Sequence, residues 1–400
     1  MKLDNRRREI QLLAGQHWED VGCIGSLEIA TSIGKTWISL DAMLKQEKGC
    51  KVLFLAETTQ REKDLYDDII KYDNIFNTDI LNHVELEFAC YQSAFRWSDR
   101  HFNLVVCDEI HVSCSLEYIK FYYNNTYDKL LGLSATLRSK KTYSINDVDY
   151  TKMQLLNEIA PVCYVYDIGD AQQDKASREL NIHIIYHNLD KVTRNILSGT
   201  KKKPFYTTEA LQYRYINDKC TECQLGGKFK LGRMFIAKRA NMLYSLPSKI
   251  ELTKDLLTKV KGKSILFGNH IDSLELLTPN VVRSNRAKES KKLRDALNKQ
   301  IREDFDNDKI DVIASFNMLV QGANLNKVDN VILMSYYSEH GRFIQQAGRL
   351  RKNDNKIGNV YIIVTNDTQE ESWYESFSSQ IPMEEFNVMY YNDINEIKFE

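Results

Sequence analysis

The chain has 400 residues, 43% of them hydrophobic, and a net charge of −1. This length predicts about two domains, and the hydrophobic content excludes a disordered or fibrous protein. Because the whole molecule is nearly neutral, binding to nucleic acid would require a local basic face. No apolar run reaches transmembrane length and the N-terminus lacks the apolar segment of a signal peptide, so we expect a cytoplasmic protein.

In the first part of the chain, apolar runs alternate with helical patterns. The predicted elements are helices at 1–20, 37–44 and 62–71, an apolar run ending near Ala30, and strands at 52–56, 88–91, 104–107 and 130–133. Continuous apolar strands separated by helices indicate parallel βαβ units whose sheet is covered on both faces. In such sheets ligands bind at the carboxyl ends of the strands.

A second series of the same kind begins after residue 180. It contains predicted strands at 182–185, 264–267, 311–314, 331–334 and 360–364 and a helix at 247–260. Residues 188–245 are less regular and include the basic run Lys201 to Lys203, which indicates an insertion or a pair of helices with a loop. We predict the fold class α/β, with domains over residues 1–178 and 179–370 and a C-terminal tail over residues 371–400.

The eight cysteines are scattered along the chain, which is typical of reduced thiols in a cytosolic protein. Only Cys220 and Cys223 have the spacing of a metal site. A structural zinc site takes four ligands, and no second cysteine pair follows at zinc-finger spacing. We therefore predict that these two cysteines hold no essential metal.

A short polar turn ending in Gly34-Lys35-Thr36 separates an apolar run from a predicted helix. Backbone N–H groups at a helix start and the Lys35 ammonium suit the β- and γ-phosphates of a nucleotide, and the Thr36 hydroxyl can hold Mg²⁺. The turn is not glycine-rich, because Ile29 stands where the P-loop pattern has its first glycine. Taken alone, the motif is therefore also consistent with a chance match.

Acidic and hydroxyl side chains follow the third and fourth of these strands. Asp108 and Glu109 come directly after an apolar strand, with His111 close behind. One carboxylate can hold Mg²⁺ while its neighbour orients and deprotonates water, although two solvated acids in a strand-end turn would look the same. Ser134 and Thr136 follow the next strand, where ordinary turn chemistry is the alternative.

A basic segment from Gln345 to Lys352 lies near the end of the second series. Arg349 and Arg351 are of the residue type that stabilises a γ-phosphate in its transition state. The alternative is a cationic helix face exposed to solvent.

In this order, the segments resemble the motifs of a superfamily 2 DExH-box helicase or translocase. Gln11 resembles the adenine-reading Q motif, and the remaining segments resemble motifs I (30–36), Ia (56–59), Ib (91–93), II (108–111), III (134–136), IV (267–269), V (314–316 with 321–325) and VI (345–352). The form of motif I is similar to that of the UvsW and XPB-like branch, which acts in DNA repair and recombination. The resemblance spans about residues 8–365.

The resemblance implies two RecA-like parallel-sheet domains with an ATP cleft between them, and it implies a role for each motif residue. The implied catalytic set is Lys35, Asp108, Glu109, Gln345, Arg349 and Arg351 or Lys352, with Thr36 and Asp108 as ligands of Mg²⁺. The implied ATP-binding set is Gln11, Thr31, Ser32, Gly34, Lys35, Thr36, Gly322 and Asn324. Contact with nucleic acid, or coupling to it, is implied for Thr58, Gln92, His111, Ser134, Thr136, Asn269 and Ser315.

Two positions depart from the pattern of this branch. Asn324 stands where motif V usually carries an acid, and its amide can still bond a ribose hydroxyl. Lys352 stands where motif VI usually carries its second arginine finger, with Arg351 beside it. Since a lysine lacks the planar fork of an arginine, which of the two acts on the phosphate remains open. We lean to Lys352, because spacing along a helix fixes direction.

We therefore expect an ATP- and Mg²⁺-dependent helicase or translocase that acts on nucleic acid, DNA more than RNA, in unwinding, annealing or fork remodelling. An ATP-gated nucleic-acid clamp and an RNA helicase without processive DNA unwinding are the alternatives. A small-molecule P-loop kinase would leave the second domain unexplained. We expect a monomer without a membrane partner, and the richness in Lys, Asn and Tyr suits a phage protein.

Overall fold

A computed structural model of the chain describes residues 4–31, 33–137, 142–145, 148–200, 202–316, 325, 327–335, 340–350, 357–379, 381 and 383–399. The chain divides into two compact units, Met1–Ser177 and Arg178–Glu400. Each unit is built on a parallel sheet with helices between its strands, so the predicted α/β class is confirmed. Within the described ranges, no helix has the length and hydrophobicity needed to cross a membrane.

The first unit contains a six-stranded sheet in the order β3-β2-β4-β5-β1-β8, in which all neighbouring strands are parallel. Its elements are α1 (Asn5–Asp20), β1 (Ile24–Ile29), α2 (Lys35–Leu44), β2 (Lys51–Ala56), α3 (Gln60–Phe76), α4 (Ile80–His83), β3 (Glu85–Cys90), α5 (Tyr91–Ala94), β4 (His101–Asp108), α6 (Lys120–Asn124), β5 (Thr126–Ser134), β6 (Thr142–Ile145), β7 (Val148–Thr151), α7 (Lys152–Ile159), β8 (Val162–Tyr166) and α8 (Ile168–Gln173). Strands β6 and β7 form a separate antiparallel hairpin.

Burial on both faces explains why the central strands of this sheet were visible in the sequence. Strands β1 and β2 are buried from their second residue to their last, as expected for a parallel sheet covered by helices. Helix α1 is fixed to the sheet by Trp18, whose indole N–H donates to the carbonyl of Leu130 at 2.9 Å. Strand β8, around Cys163, is an apolar run at the edge of the sheet, and most of its side chains are only partly buried.

The second unit contains a seven-stranded parallel sheet in the order β13-β14-β12-β15-β16-β9-β17. Its elements are β9 (Leu180–His187), β10 (Ile196–Thr200), β11 (Lys203–Thr207), α9 (Glu209–Leu225), α10 (Phe229–Tyr244), α11 (Pro247–Lys259), β12 (Ser264–Phe267), α12 (Ile271–Leu277), β13 (Val281–Val282), α13 (Lys291–Asp306), β14 (Val312–Ser315), β15 (Asn330–Leu333), α14 (His340–Ala347), β16 (Gly358–Thr365), α15 (Gln369–Ser378) and β17 (Asn387–Tyr391).

Two regions of the second unit differ from the prediction. Residues 188–245 contain the pair of helices α9 and α10, and they also contain an antiparallel hairpin of β10 and β11 that was not predicted. Residues 371–400 were predicted to be a separate tail, which is wrong for residues 387–391, because β17 pairs in parallel with β9 at the edge of the sheet. Residues 388–391 are apolar, but their pairing with the distant strand β9 depends on tertiary structure and could not be derived from the local pattern.

Parallel pairing brings the carboxyl ends of neighbouring strands to the same edge of each sheet. In the first unit, the segments after β1, β2, β3, β4 and β5 therefore lie along one edge, and they carry the sequence motifs singled out above. In the second unit, the segments after β12, β14 and β15 share an edge in the same way.

Candidate functional site

The turn between β1 and α2 has the backbone shape that its glycine predicts. Gly34, the residue before α2, has φ = 88° and ψ = 58°, in the left-handed region that favours glycine. A Cβ at this position would also lie 3.0 Å from Nε2 of Gln11. The turn therefore places Lys35 and Thr36 in the first turn of α2, where backbone N–H groups lack partners within the helix.

Gln11 supports this turn directly. Its side chain is 5% exposed, Nε2 donates to the carbonyl of Ile33 at 2.7 Å, and Oε1 accepts from Nη1 of Arg8 at 3.3 Å. Gln11 thus lies beside the phosphate-binding turn, and its contact with adenine stays a prediction. Thr31 lies in the same turn and is half-buried, whereas Ser32 lies outside the described residues.

Lys35 and Glu109 form an ion pair across the ends of β1 and β4. Lys35 Nζ lies 3.2 Å from Glu109 Oε1, and the two side chains are 10% and 18% exposed. Burial by itself would raise the pKa of Glu109, but the Lys35 ammonium, with help from His111 and Ser134, holds that pKa well below its usual range. Glu109 also has φ = 52°, a strained backbone conformation of the kind that clusters at functional sites.

Ser134 connects the end of β5 to the acids that follow β4. Its Oγ lies 3.0 Å from Glu109 Oε2 and 2.8 Å from Nδ1 of His111. The backbone N–H of Thr136 donates to the same Oγ at 3.1 Å. The structure therefore brings together three of the predicted coupling residues, which are His111, Ser134 and Thr136, around the carboxylate of Glu109.

Arg61, in the first turn of α3, joins the two residues predicted to hold Mg²⁺. Its Nε donates to Asp108 Oδ2 at 2.6 Å, and its Nη2 donates to Thr36 Oγ1 at 2.6 Å. The guanidinium is 14% exposed and lies over the ring of Phe54, at 5.6 Å from the centroid. A third nitrogen, Nη1, lies 3.7 Å from Asp68 Oδ2.

The sequence analysis did not identify Arg61. A positive charge in the first turn of a helix is disfavoured by the helix dipole. Arg61 lies in the first turn of α3, so its position was a weak sequence signal for an acidic partner. That the partner is Asp108, 47 residues further along the chain, depends on tertiary structure.

The contacts of Arg61 also test whether Thr36 and Asp108 fit a metal ion. Both oxygens bond to one guanidinium, so they converge on a single cation. Mg²⁺ in proteins is usually held by one or two carboxylates, waters and substrate phosphates. One carboxylate and one hydroxyl beside a phosphate-binding turn match that ligand set, so the residues present fit Mg²⁺.

The predicted nucleic-acid contacts of the first unit are exposed near one another. Thr58 follows β2 and Gln92 follows β3, two strands that are paired, and both residues are exposed. Gln92 Nε2 donates to the carbonyl of Glu57 at 2.9 Å, which joins the two segments. These side chains are thus accessible to a ligand.

In the second unit the predicted residues have mixed outcomes. Asn269 follows β12 and is half-buried, and its amide nitrogen makes no hydrogen bond within the described part of the chain. Ser315 is 0% exposed at the end of β14, and its predicted contact with nucleic acid, or coupling to it, stays a prediction. The β14 end is packed within the core, which the sequence pattern did not indicate.

Gln345 lies in α14 and is 7% exposed. The helix ends at Ala347, so the half-buried Arg349 lies in the turn that follows it. The predictions for Gly322, Asn324, Arg351 and Lys352 fall outside the described residues. The described part of motif VI therefore extends beyond the end of α14, as far as residue 350.

Cys220 and Cys223 are both buried within α9, at 2% and 4% exposure. Among the described residues, no group of three or more His, Cys, Asp or Glu side chains is placed to hold a metal ion. That neither cysteine holds an essential metal stays a prediction.

Two family models match the chain. The model for the type III restriction enzyme, res subunit, matches residues 9–139, and the model for the helicase conserved C-terminal domain matches residues 248–353. One match lies in the first unit and the other in the second, and together they support an ATP-dependent superfamily 2 helicase. The first match contains the phosphate-binding turn and the DExH box, and the second contains motifs IV to VI. No curated protein sequence matches the chain.

Solved structures show the same helicase fold at low sequence identity. The ATP-dependent type ISP restriction-modification enzyme LlaBIII bound to DNA matches over 100% of this chain, with 13% identity and a TM-score of 0.59, and this chain spans 32% of that enzyme. A variant of S. cerevisiae Dbp5 bound to RNA and ADP–BeF3 matches over 96% of this chain and 89% of its own length, with 12% identity and a TM-score of 0.58. Similarity of the fold therefore does not separate DNA from RNA.

Proposed function

We propose that the protein is an ATP-driven motor that acts on nucleic acid, with DNA as its substrate. The convergence of Lys35, Glu109 and Ser134 at one edge of the first sheet is the observation that carries this proposal. These groups supply a cation for the phosphates, a carboxylate for the attacking water and a hydroxyl that connects the carboxylate to the next strand.

Binding of ATP changes the partner of Lys35. In the structure its ammonium neutralises Glu109, whereas the helicase role requires the same ammonium on the β- and γ-phosphates. When Lys35 moves to the phosphates, Glu109 loses the charge that contributes most to lowering its pKa. Glu109 then becomes a stronger base toward a bound water, because catalytic bases act best with a pKa near the working pH.

Coupling to nucleic acid runs through the contacts of Glu109. His111 and Ser134 both lie within 3.3 Å of Glu109 Oε2, so a change in charge or position at this carboxylate reaches the ends of β4 and β5 directly. Such a rearrangement is the local event that can bias a domain movement.

The second unit completes the reaction in this proposal. Gln345 and Arg349 act on the γ-phosphate, where an arginine stabilises the charge of the transition state. Arg351 or Lys352 supplies the second cation, and Gly322 and Asn324 contact the nucleotide.

DNA is favoured over RNA by two similarities of sequence. The matched model for residues 9–139 is that of a restriction-enzyme subunit. The form of motif I resembles the UvsW and XPB-like branch, whose members act in DNA repair and recombination. We therefore assign the protein to unwinding, annealing or fork remodelling of DNA. Its richness in Lys, Asn and Tyr suits a phage protein in a bacterial cytoplasm.

The hairpin of β10 and β11 adds a surface that suits single-stranded nucleic acid. Phe205 and Tyr206 are 56% and 62% exposed, and as neighbours on a strand they point to opposite faces. Lys202 and Lys203 are exposed beside them. Aromatic faces stack on bases without regard to sequence, while lysines contact phosphates.

An ATP-gated clamp is the second candidate, because Asn324 and Lys352 depart from the motor pattern. A forked DNA with a fluorophore and a quencher on opposite strands separates the two candidates. The motor increases fluorescence with ATP and not with a non-hydrolysable analogue, and Glu109→Gln abolishes the increase. A clamp binds the fork with either nucleotide and leaves the strands together.

A further inference from the structure

We infer that Arg61 is a built-in competitor of Mg²⁺, whose guanidinium occupies the position between Thr36 and Asp108 until the metal and nucleotide displace it. This inference rests on the proposed ATP site. It adds a residue that none of the helicase motifs discussed above assigns to metal binding, and it predicts how tightly the site takes up its metal.

The first argument is geometric. Two adjacent nitrogens of one guanidinium, Nε and Nη2, each lie 2.6 Å from a predicted metal ligand, Asp108 Oδ2 and Thr36 Oγ1 respectively. Mg²⁺ binds its oxygen ligands at about 2.0–2.1 Å and demands near-octahedral geometry. A metal coordinated by both oxygens would therefore take the space and the lone pairs that now face Arg61.

The second argument concerns charge. A carboxylate held in a partly closed site is costly unless a cation compensates it. Asp108 is 14% exposed in its side chain, and the guanidinium of Arg61 is a cation that contacts it. Either Arg61 or a metal can fill this role, but two cations on one carboxylate oxygen would repel each other.

The third argument is that Arg61 has a second acidic partner. Its Nη1 lies 3.7 Å from Asp68 Oδ2, two turns further along the same face of α3. Asp68 is a charged side chain to which the guanidinium can turn when it leaves Asp108. Arg61 can therefore give up the metal ligands without losing every carboxylate partner.

The metal dependence of nucleotide binding measures this competition without any turnover. The affinity for a fluorescent N-methylanthraniloyl-ADP is measured in EDTA and in Mg²⁺, and the ratio of the two dissociation constants gives the contribution of the metal. In Arg61→Ala the metal no longer has to displace hydrogen bonds to a charged group, so we expect the ratio to increase about tenfold over wild type.

Two further variants separate competition from other effects. Arg61→Lys keeps the charge but loses the fork that reaches both oxygens, so we expect an intermediate ratio. Arg100→Ala removes an arginine that also makes a bidentate carboxylate pair, with Glu87, at the opposite end of the strands, and we expect the wild-type ratio. If Arg61→Ala does not fold, the Arg61→Lys ratio carries the comparison.

Thermal unfolding provides an independent readout. In EDTA, Arg61→Ala should unfold at a lower temperature than wild type, because Asp108 loses its partner. Mg²⁺ with ADP should recover more of this loss in Arg61→Ala than in Arg100→Ala.

Three results of the binding experiment overturn the inference. They are an unchanged ratio of dissociation constants in Arg61→Ala, a wild-type ratio in Arg61→Lys, and an equal loss of ADP affinity in EDTA and in Mg²⁺. Absence of ADP binding in wild-type protein instead contradicts the proposed ATP site itself.

Discussion

The ammonium of Lys35 lies 3.2 Å from the carboxylate of Glu109, so the two central residues of the proposed ATP site neutralise each other in this structure. A nucleotide must separate them to engage both. In the proposed mechanism, the site is therefore active only after the phosphates of ATP have replaced Glu109 as the partner of Lys35.

Removing the ammonium should abolish turnover. We expect Lys35→Ala to lose ATP hydrolysis with an unchanged circular dichroism spectrum, since no other cation is predicted to reach the β- and γ-phosphates from α2. Lys45→Ala is the matched control, because Lys45 lies at the end of the same helix, pairs with Glu19 and is half exposed. Normal steady-state hydrolysis by folded Lys35→Ala would falsify the assignment.

Neutralising the carboxylate should separate binding from chemistry. Glu109→Gln removes the ion pair with Lys35, so we expect ATP to bind as well as in wild type or better, while hydrolysis slows by on the order of a hundredfold or more. Asp108→Asn should instead weaken the dependence on Mg²⁺. Single-turnover kinetics and nucleotide titrations measure both effects. Full turnover in both variants would show that the two acids belong to an ordinary strand-end turn and have no catalytic role.

The arginine of motif VI should affect rate more than affinity. We expect Arg349→Ala to lose about a thousandfold in turnover with little change in ATP binding, and the exposed Arg233 of α10 provides a control substitution. Parallel kinetics of Arg351→Ala and Lys352→Ala identify the second cation. Our choice of Lys352 by spacing is wrong if only Arg351→Ala collapses the DNA-stimulated rate.

The exposed aromatic side chains of the hairpin should contribute to nucleic-acid affinity. Stacking on one base is worth about 1–3 kcal/mol, so Phe205→Ala with Tyr206→Ala should weaken binding to a single-stranded oligonucleotide about tenfold or more. Tyr123→Ala removes an aromatic ring of similar exposure on α6 and serves as the control. Fluorescence anisotropy measures the difference in affinity. Equal affinity of the hairpin variant and the control would show that the hairpin does not bind the oligonucleotide.

The buried His187 should make the stability of the second unit depend on pH. Burial, together with the nearby Lys249, lowers the pKa of His187 from 6.5 to about 3. Its ring contacts Ser248 and Thr365, and Ser248 in turn donates to the carboxylate of Glu209. As the pH falls below 6.5 the unfolded chain takes up a proton that the folded chain does not, so stability is lost progressively between pH 6.5 and about 3.

Urea denaturation at pH 7 and pH 5 measures this dependence. His187→Asn should lower the free energy of unfolding at pH 7, because hydrogen bonds are lost, but it should flatten the change between the two pH values by about 2 kcal/mol. The exposed His101 gives the control, His101→Asn. An equally steep change in His187→Asn would show that another group titrates.

Sequence periodicity was sufficient for the central strands and the order of motifs, because both depend on local patterns. Strand β12 was predicted at its observed bounds, since it is apolar and buried throughout. The edge strand β17 was missed although Val388 to Tyr391 are apolar, because its pairing with the distant strand β9 depends on tertiary structure. Arg61 was missed for a similar reason. Its hydrogen-bond partners Thr36 and Asp108 are 25 and 47 residues away in the sequence, and only the folded sheet brings them together.

The most direct test of the account is the steady-state ATPase rate titrated with single-stranded DNA, duplex DNA, forked DNA and RNA under identical salt and Mg²⁺. We predict a saturable increase in turnover with DNA, weaker stimulation by RNA, and no stimulation of Lys35→Ala. ATP hydrolysis that no nucleic acid changes, or stimulation by RNA alone, would contradict the assignment of a DNA motor.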